Sequence, residues 1–476
     1  METPNPKQQL NLVQQSVEQY RDQLSTAPRL VIGFSGGLDS SVLLHLIATQ
    51  FANKTTALHI NHGLSSNAAV WQQHCATVCA ALNVEFVTRQ VVVENAGNGV
   101  EDAARQARYQ AFTEILTPNS LLLLAHQSSD QAETVLYRLL RGAGVKGLMG
   151  IQATRQLGLG KILRPLLELS RSQLLHYAEA QGLRWIHDES NDNNIYDRNY
   201  LRNEVMQKIQ QRWPQSEAAI RRAASHCFEA QQLNDQLALL DLAQLDQQTQ
   251  FDQPWLSDVY ATLELDGLLN LPLLRRKNLL RYWVSQFDLT LPSTKQLENL
   301  LVVLSHLDAE NHPCVSFGEN EFRVYQQRLY LLKRQQPIEP IAIAAALDSA
   351  MSLPGNGCIK FYSAHGDGLK LSSEQALEIR YRAGSERCRP VGRAHSQSLK
   401  KLLQEYKIEP WVRDKIPLLF VDGCLAAVIG LWYCAEFAVQ QKSTQEQATQ
   451  QKIAQRETDS QAVEQQAMGV EVVWKK

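Results

Sequence analysis

The chain has 476 residues, a formal net charge of −2, and 44% hydrophobic and 20% charged residues. That is an ordinary globular balance for two to four domains, and it excludes a disordered or fibrous chain. No apolar run reaches the roughly 18 residues that span a bilayer, and METPNPKQQLNLVQQ at the start lacks an apolar signal region. Eight scattered cysteines with no C-x-x-C pair suit reduced thiols better than a disulfide framework or a metal cluster. A cytoplasmic protein with no membrane partner is expected.

From residue 29 to 125 the pattern alternates. Strands are predicted at Leu30–Phe34, Thr56–Ile60, Glu85–Val93 and Leu121–Ala125, with helices at Ser41–Ala52, Ala68–Leu82 and Glu101–Leu116. Such alternation builds a doubly wound parallel sheet, which binds ligands at the carboxyl ends of its strands. The polar clusters fall at those ends: Ser35–Ser40, then Asn61–Gly63, then His126–Asp130. Cys75 and Cys79, spaced i, i+4 on a predicted helix, read as core or helix-surface thiols. GAGVKG at 142–147 has glycine-fingerprint spacing but follows a helix, so it reads as a helix stop. Residues 215–245 read as a polar helix, 244–255 as a linker, 260–310 as helical and 313–333 as a hairpin. RQQPIEP at 334–340 marks a boundary. Beyond it lie strands near 377–382, 417–421 and 425–430, a segment with ten glutamines at 440–467, and a closing strand at Gly469–Trp474. Three domains are expected: 1–225 catalytic α/β, 226–340 mostly helical, and 341–476 small α+β.

The most informative stretch is LVIGFSGGLDSSVLLHLIATQ, residues 30–50. Backbone N–H groups at a helix start attract anions. Gly36 and Gly37 allow close approach, and Ser35, Ser40 and Ser41 add hydroxyls. Asp39 would repel a phosphate unless a cation such as Mg²⁺ sat between them. A second reading is the G-x-S-x-G elbow of serine hydrolases. Against it, the motif follows the first strand and no oxyanion segment precedes it. The chain also has two basic zones: Arg138–Arg222 holds fourteen basic and eight acidic residues, and Glu378–Lys415 ten and five. These make a polyanionic partner plausible.

SGGLDS at 35–40 resembles the pyrophosphatase-type loop of adenylate-forming ATP enzymes. Around it, LHINHGLS (58–65), EDAARQARYQAF (101–112), LAHQSSDQAETVLYRLLRGAG (124–144), ILRPLL (162–167), WIHDESNDNNIYDRNYLRNEV (185–205) and SLKKLLQEYKIEPWVRDKIPLLF (398–420) together resemble the tRNA(Ile)-lysidine synthases. The resemblance implies an ATP- and Mg²⁺-dependent attachment of free L-lysine to the wobble cytidine of a tRNA(Ile) with a CAU anticodon, through an adenylated base. The modified tRNA would then read AUA as isoleucine.

It also implies site residues. Ser35, Gly36, Gly37, Leu38 and Ser40 would hold the ATP phosphates, and Asp39 would bind Mg²⁺. His126, Asp130 and Glu133 would line the pocket, with Asp130 on Mg²⁺ and Glu133 on the lysine ammonium, although N-capping acids would look the same. Arg105 and Arg108 either reach ATP phosphates or are helix surface. Asp188, Asn191, Arg198, Asn199 and Arg202 crowd one loop-to-helix segment and would contact a base or phosphate, with Asp188, Asn191, Arg198 and Arg202 in the lysine and base pocket. Arg380, Arg382, Arg387, Arg389, Arg393, Lys400, Lys401 and Arg413 would contact tRNA phosphates, with Trp411 in the core. Gln127, Ser129 and Asn61 depart from the family pattern, which often has His or Asp there. The oligomeric state stays open, a homodimer included.

Overall fold

The computed structural model describes residues 6–63, 67–92, 100–189, 194–307, 312–339, 342–347, 350–365, 368–372, 374–439 and 468–476. It divides into two compact units between Leu233 and Asn234.

In the first unit, α1 (Pro6–Glu18) and α2 (Arg21–Thr26) lead into β1 (Leu30–Gly33), α3 (Leu38–Phe51), β2 (Thr55–Asn61), α4 (Ala68–Ala81), β3 (Glu85–Gln90), α5 (Val100–Ile115) and β4 (Leu121–Leu123). There follow α6 (Ser128–Leu140), α7 (Val145–Leu148), β5 (Thr154–Leu157), β6 (Gly160–Leu163), α8 (Arg171–Ala180), α9 (Asp197–Tyr200), a π-type turn at Leu201–Val205, α10 (Met206–Arg212) and α11 (Ser216–Leu242). The sheet runs β3-β2-β1-β4-β6-β5. All neighbours are parallel except the β5–β6 hairpin at the edge.

The central strands β1 and β4 are short apolar runs because both of their faces are covered. Leu30 and Ile32 of β1 pack with Val42, Leu43 and Ile47 of α3. Val31 points the other way, to Phe112 and Leu116 on the α5 side. Strand order reverses at β1, since β2 and β3 lie on one side and β4 on the other. The ends of β1 and β4 therefore open onto the topological switch point, where ligands of such sheets bind.

Two local details differ from expectation. Helix α3 starts at Leu38, three residues before Ser41, and so takes in Asp39. The β5–β6 hairpin was not foreseen, because TRQL and GKIL are too short and polar to give a pattern. GAGVKG behaves as expected: α6 ends in a Schellman motif, with Ala143 N–H to Arg138 O, Gly142 N–H to Leu139 O, and Gly142 at φ +72°.

The second unit takes in the end of α11 from Asn234 and continues with β7 (Gln247–Gln248), β8 (Val259–Glu264), α12 (Leu265–Asn270), α13 (Leu273–Ser285), α14 (Thr294–Ser305), β9 (Cys314–Phe317), β10 (Asn320–Tyr325) and β11 (Arg328–Lys333). This part is helical as expected but also carries a five-stranded sheet, β7-β8-β11-β10-β9. β8 lies inside the stretch read as helix. Its pairing with β11, Leu263 opposite Leu329, is a long-range demand that leucine spacing does not reveal.

The remainder is β-rich: β12 (Ala342–Ala345), β13 (Met351–Ser352), β14 (Cys358–His365), β15 (Leu377–Arg380), β16 (Arg387–Cys388), β17 (Gln397–Ser398), α15 (Leu399–Glu405), β18 (Leu418–Val421), β19 (Cys424–Val428), β20 (Trp432–Tyr433) and β21 (Met468–Lys475). The closing strand falls within β21, antiparallel to β14. The glutamine-rich segment 440–467 lies outside the described residues. Trp411 is buried against Tyr325 and Tyr330, in the core as expected.

Candidate active site

The turn after β1 is shaped by one backbone angle. Gly36 sits at φ +83°, and a Cβ there would lie 2.8 Å from both Cys75 Sγ and Ile186 Cδ1, so only glycine fits without rebuilding. Its carbonyl accepts from Ile186 N–H at 2.8 Å, tying the loop to the segment after α8. Gly37 caps α3 with no side chain. The first N–H to close a helical bond is that of Ser41, to Gly37 O. Those of Leu38, Asp39 and Ser40 point out of the helix end, as an anion site requires.

Ser35 Oγ lies 3.1 Å from Ser40 Oγ and accepts from Gly37 N–H at 3.3 Å. Among the described residues no histidine bonds Ser35, so the hydrolase elbow lacks its base.

Three acids converge on this turn. Among the described residues Asp39 Oδ1 is buried with no hydrogen-bond partner, while the Gln127 side chain acts on the same carboxyl. Burial, with the charge of Asp130 next, lifts the Asp39 carboxyl to about 6, against Arg171 and Arg202. Asp130 forms a capping box at the start of α6, accepting from Gln127 N–H at 2.9 Å while the Gln127 side chain accepts from Ser129 N–H. Its other oxygen accepts from Arg202 Nη2 at 3.2 Å, so Asp130 caps the helix and also faces a cation. Glu133, one turn on, is held by Arg202 at both oxygens, 2.7 and 2.9 Å. Burial raises both carboxyls, and Arg202 opposes this in each. The Asp130 and Arg202 side chains keep 22% and 34% of their surface, while Glu133 keeps 5%. Asp130 and Arg202 thus keep solvent-facing surface, and Glu133 is buried behind them.

His126, at the end of β4, accepts from Arg164 Nε at 3.1 Å. Burial, and then the charges of Arg164, Arg108, Arg105 and Arg198, hold its imidazole well below the ordinary range. The guanidiniums of Arg105 and Arg155 lie over the Tyr109 ring at 4.9 and 5.2 Å. Arg105 and Arg108 are close enough for their charges to act on His126.

Arg202, on the π-type turn, meets the acids directly, and Arg198 is close enough for its charge to act on Asp130, Glu133 and His126. Asp188 and Asn199 make contacts of their own; Asn191 lies outside the described residues. Sequence reasoning missed Arg164 and Arg155. For Arg164 a signal existed: an arginine inside the apolar run ILRPLL is rarely buried without a purpose.

The basic residues of the second unit are mostly paired. Arg380 meets Glu378 and lies over Phe420, Arg382 donates to Asp414 at 2.9 Å, Arg389 is 4.0 Å from Glu436, and Arg393 is 2.5 Å from Glu405. Arg387 donates to Ser396 O, and Arg413 is spent on Ile408 O. Lys400 and Lys401 are exposed.

With this geometry in place, comparison with known proteins is informative. Residues 7–209 match the family model of a PP-loop domain, 263–330 that of a TilS substrate binding domain, and 377–448 that of a TilS substrate C-terminal domain. The chain is 39% identical over 407 residues to a tRNA(Ile)-lysidine synthase of Legionella pneumophila strain Paris, covering 84% of this chain and 91% of that one. It is 38% identical over 423 residues to that of Coxiella burnetii, covering 87% and 91%. For that of Serratia proteamaculans the identity is 41% over 418 residues, covering 86% and 92%.

Proposed function

The chain belongs to the tRNA(Ile)-lysidine synthase family, and from that footing we propose how its residues share the work. It is an ATP-using ligase that forms lysidine on tRNA(Ile). In the proposed scheme the 2-carbonyl oxygen of the wobble cytidine, in a CAU anticodon, attacks the α-phosphate of ATP and pyrophosphate leaves. The amine of free L-lysine then attacks that carbon, AMP leaves, and the nitrogen gives up a proton.

The outward N–H groups of Leu38, Asp39 and Ser40, with Ser35 and the open backbone at Gly37, cradle the phosphates. Arg105 and Arg108 face them from α5. Asp39 and Asp130 suit a Mg²⁺ ion, a hard cation that takes one or two carboxylates plus phosphate oxygens. Bound there, it would neutralise charge developing on the phosphate. The observation that carries this reading is the buried Oδ1 of Asp39, with no hydrogen-bond partner among the described residues, beside a helix start built for anions.

Glu133 is the proposed seat of the lysine ammonium and the acceptor of its proton. Burial raises its carboxyl, which makes it a stronger base than a free glutamate, and Arg202 has to share or yield it when lysine enters. The surface of residues 226–476, Lys400 and Lys401 foremost, is proposed to hold the tRNA body. The reaction is proposed to occur in the cytoplasm.

The rival chemistry is sulfur insertion, which needs reactive thiols. Cys75 and Cys79, near the loop, are fully buried, and burial pushes both thiols up to about 12. The test is to incubate the protein with CAU-anticodon tRNA(Ile), ATP and labelled lysine. Label should join the RNA with one AMP released per lysine. ATP consumption with no label on RNA would overturn the reading.

A further inference from the structure

Arg164 has no place in the scheme above, yet the fold invests heavily in it. It follows β6, is 4% exposed, and among the described residues no acid pairs with it. Its donors reach three elements: Nε to His126 Nδ1 at 3.1 Å, Nη1 to Gln152 O at 2.6 Å and Nη2 to Tyr109 Oη at 3.4 Å. A guanidinium is all donor and keeps its charge at every pH at which a protein stays folded. The nitrogen it meets must therefore offer a lone pair. His126 Nδ1 is bare, and the neutral ring carries its hydrogen on Nε2. Among the described residues Nε2 has no partner, and it is not sealed from solvent.

Charge fixes the same state. Besides Arg164, His126 faces Arg105 and Arg108 from α5 and Arg198 from α9. A second proton on the ring would add a cation to four.

We infer that Arg164 is a positioning residue that locks His126 as a neutral Nε2–H donor, and that His126 serves adenylation by donating to a phosphate oxygen rather than by moving a proton. The choice of a phosphate oxygen rests on the function proposed above. The tautomer rests on geometry alone, so the two can fail separately. Arg164 also explains the cost of its burial: it orders β6, α5 and the end of β4 around one imidazole.

The direct test is spectroscopic. In the full chain labelled with ¹⁵N-histidine, long-range ¹H–¹⁵N correlations should show one ring with bare Nδ1 and protonated Nε2, unchanged from pH 6 to pH 8.5. The signal is assigned by its loss in His126→Gln. An Nδ1–H pattern, or protonation within that range, overturns the lock. The kinetic test compares two amides: Gln places an N–H where Nε2 was, and Asn places one where Nδ1 was. His126→Gln should keep pyrophosphate release within about tenfold of wild type, and His126→Asn should lose about a hundredfold or more, the usual loss for one preorganised donor. Equal loss in both variants overturns the donor role. Arg164→Met should lower kcat with the KM for lysine unchanged, and Arg164→Lys should restore part of it. If Arg164→Met does not fold, the wild-type spectrum and the Gln/Asn contrast still decide.

Discussion

Two stretches of this chain carry nearly the same excess of positive charge, +6 over Arg138–Arg222 and +5 over Glu378–Lys415, yet they spend it in opposite ways. In the first, Arg164 is buried with no acid partner among the described residues, Arg202 is drawn onto Asp130 and Glu133, and Arg198 adds its field. In the second, Arg380, Arg382 and Arg393 are each matched by an acid of the same stretch, and Arg413 turns inward to a carbonyl. Net charge along a sequence is therefore a poor measure of charge available to a ligand. What marks a site is a cation held where water is scarce and its partner is missing or shared.

The contrast is tested first where the effect should be largest, at the acid the first zone surrounds. Asp39→Asn should cut lysidine formation by about a thousandfold or more, the scale of losing a charge-neutralising group, with tRNA binding within twofold. The pH dependence has two opposite signs. Binding a cation needs the carboxylate, and burial puts that carboxyl at about 6 against an ordinary 3.8. In the wild type kcat/KM should therefore rise with pH through about 6, and the limb should move lower as Mg²⁺ is raised. Stability goes the other way. With the folded pKa above the unfolded one, this group's contribution is full below about 4 and lost as pH rises through about 6. Metal-free Asp39→Asn should thus melt above wild type at pH 8, and the gap should close below pH 5.

Next is Arg202. In Arg202→Met, Glu133 and Asp130 lose their shared cation, and removing one partner of a buried pair typically costs about 3–5 kcal/mol. Partial exposure of Arg202 places this case at or below the low end. Burial has already raised both carboxyls, so protonation relieves the variant: thermal melts should show a larger loss at pH 8 than at pH 5.5. An equal loss at both pH values would mean that Arg202 acts by packing alone.

How much of this could be read beforehand follows the same divide between local and long-range causes. The alternating strands, the Gly36 turn and the capping acid at Asp130 are local: glycine, a following helix and acids at i, i+3 carry their geometry with them. The meeting of Arg202 with Glu133, 69 residues apart, is fixed by the fold, and spacing gives no hint of it. The same holds for Arg164 against His126, 38 residues apart, and for β8, whose strand state comes from β11. In the second basic zone the residues were legible as charges but not as pairs. Arg382 and Asp414 are 32 residues apart, and only the sheet brings them together.

In the second zone the most exposed cations should matter more than the tightly paired ones. Lys400→Ala with Lys401→Ala removes two exposed charges, though Lys401 lies 3.9 Å from Glu405. The slope of log K for tRNA against log salt should flatten by about 1–2, as loss of that many phosphate contacts predicts. An unchanged slope would place both lysines off the tRNA path.

The smallest effect is expected at Arg393, and it separates paired from free charge most sharply. Its guanidinium is 2.5 Å from Glu405 and lies over the Tyr406 ring at 5.6 Å, so its charge is already answered within the protein. Arg393→Gln alone should weaken tRNA binding less than threefold, while Glu405→Gln alone should tighten it, because the arginine is then released toward phosphate. The double variant should return close to wild type. Filter binding at fixed salt gives all three constants, and their cycle isolates the pair. A tenfold loss from Arg393→Gln by itself would show that an ion-paired surface arginine still serves RNA in full, and the distinction drawn between the two zones would then fail at its second half.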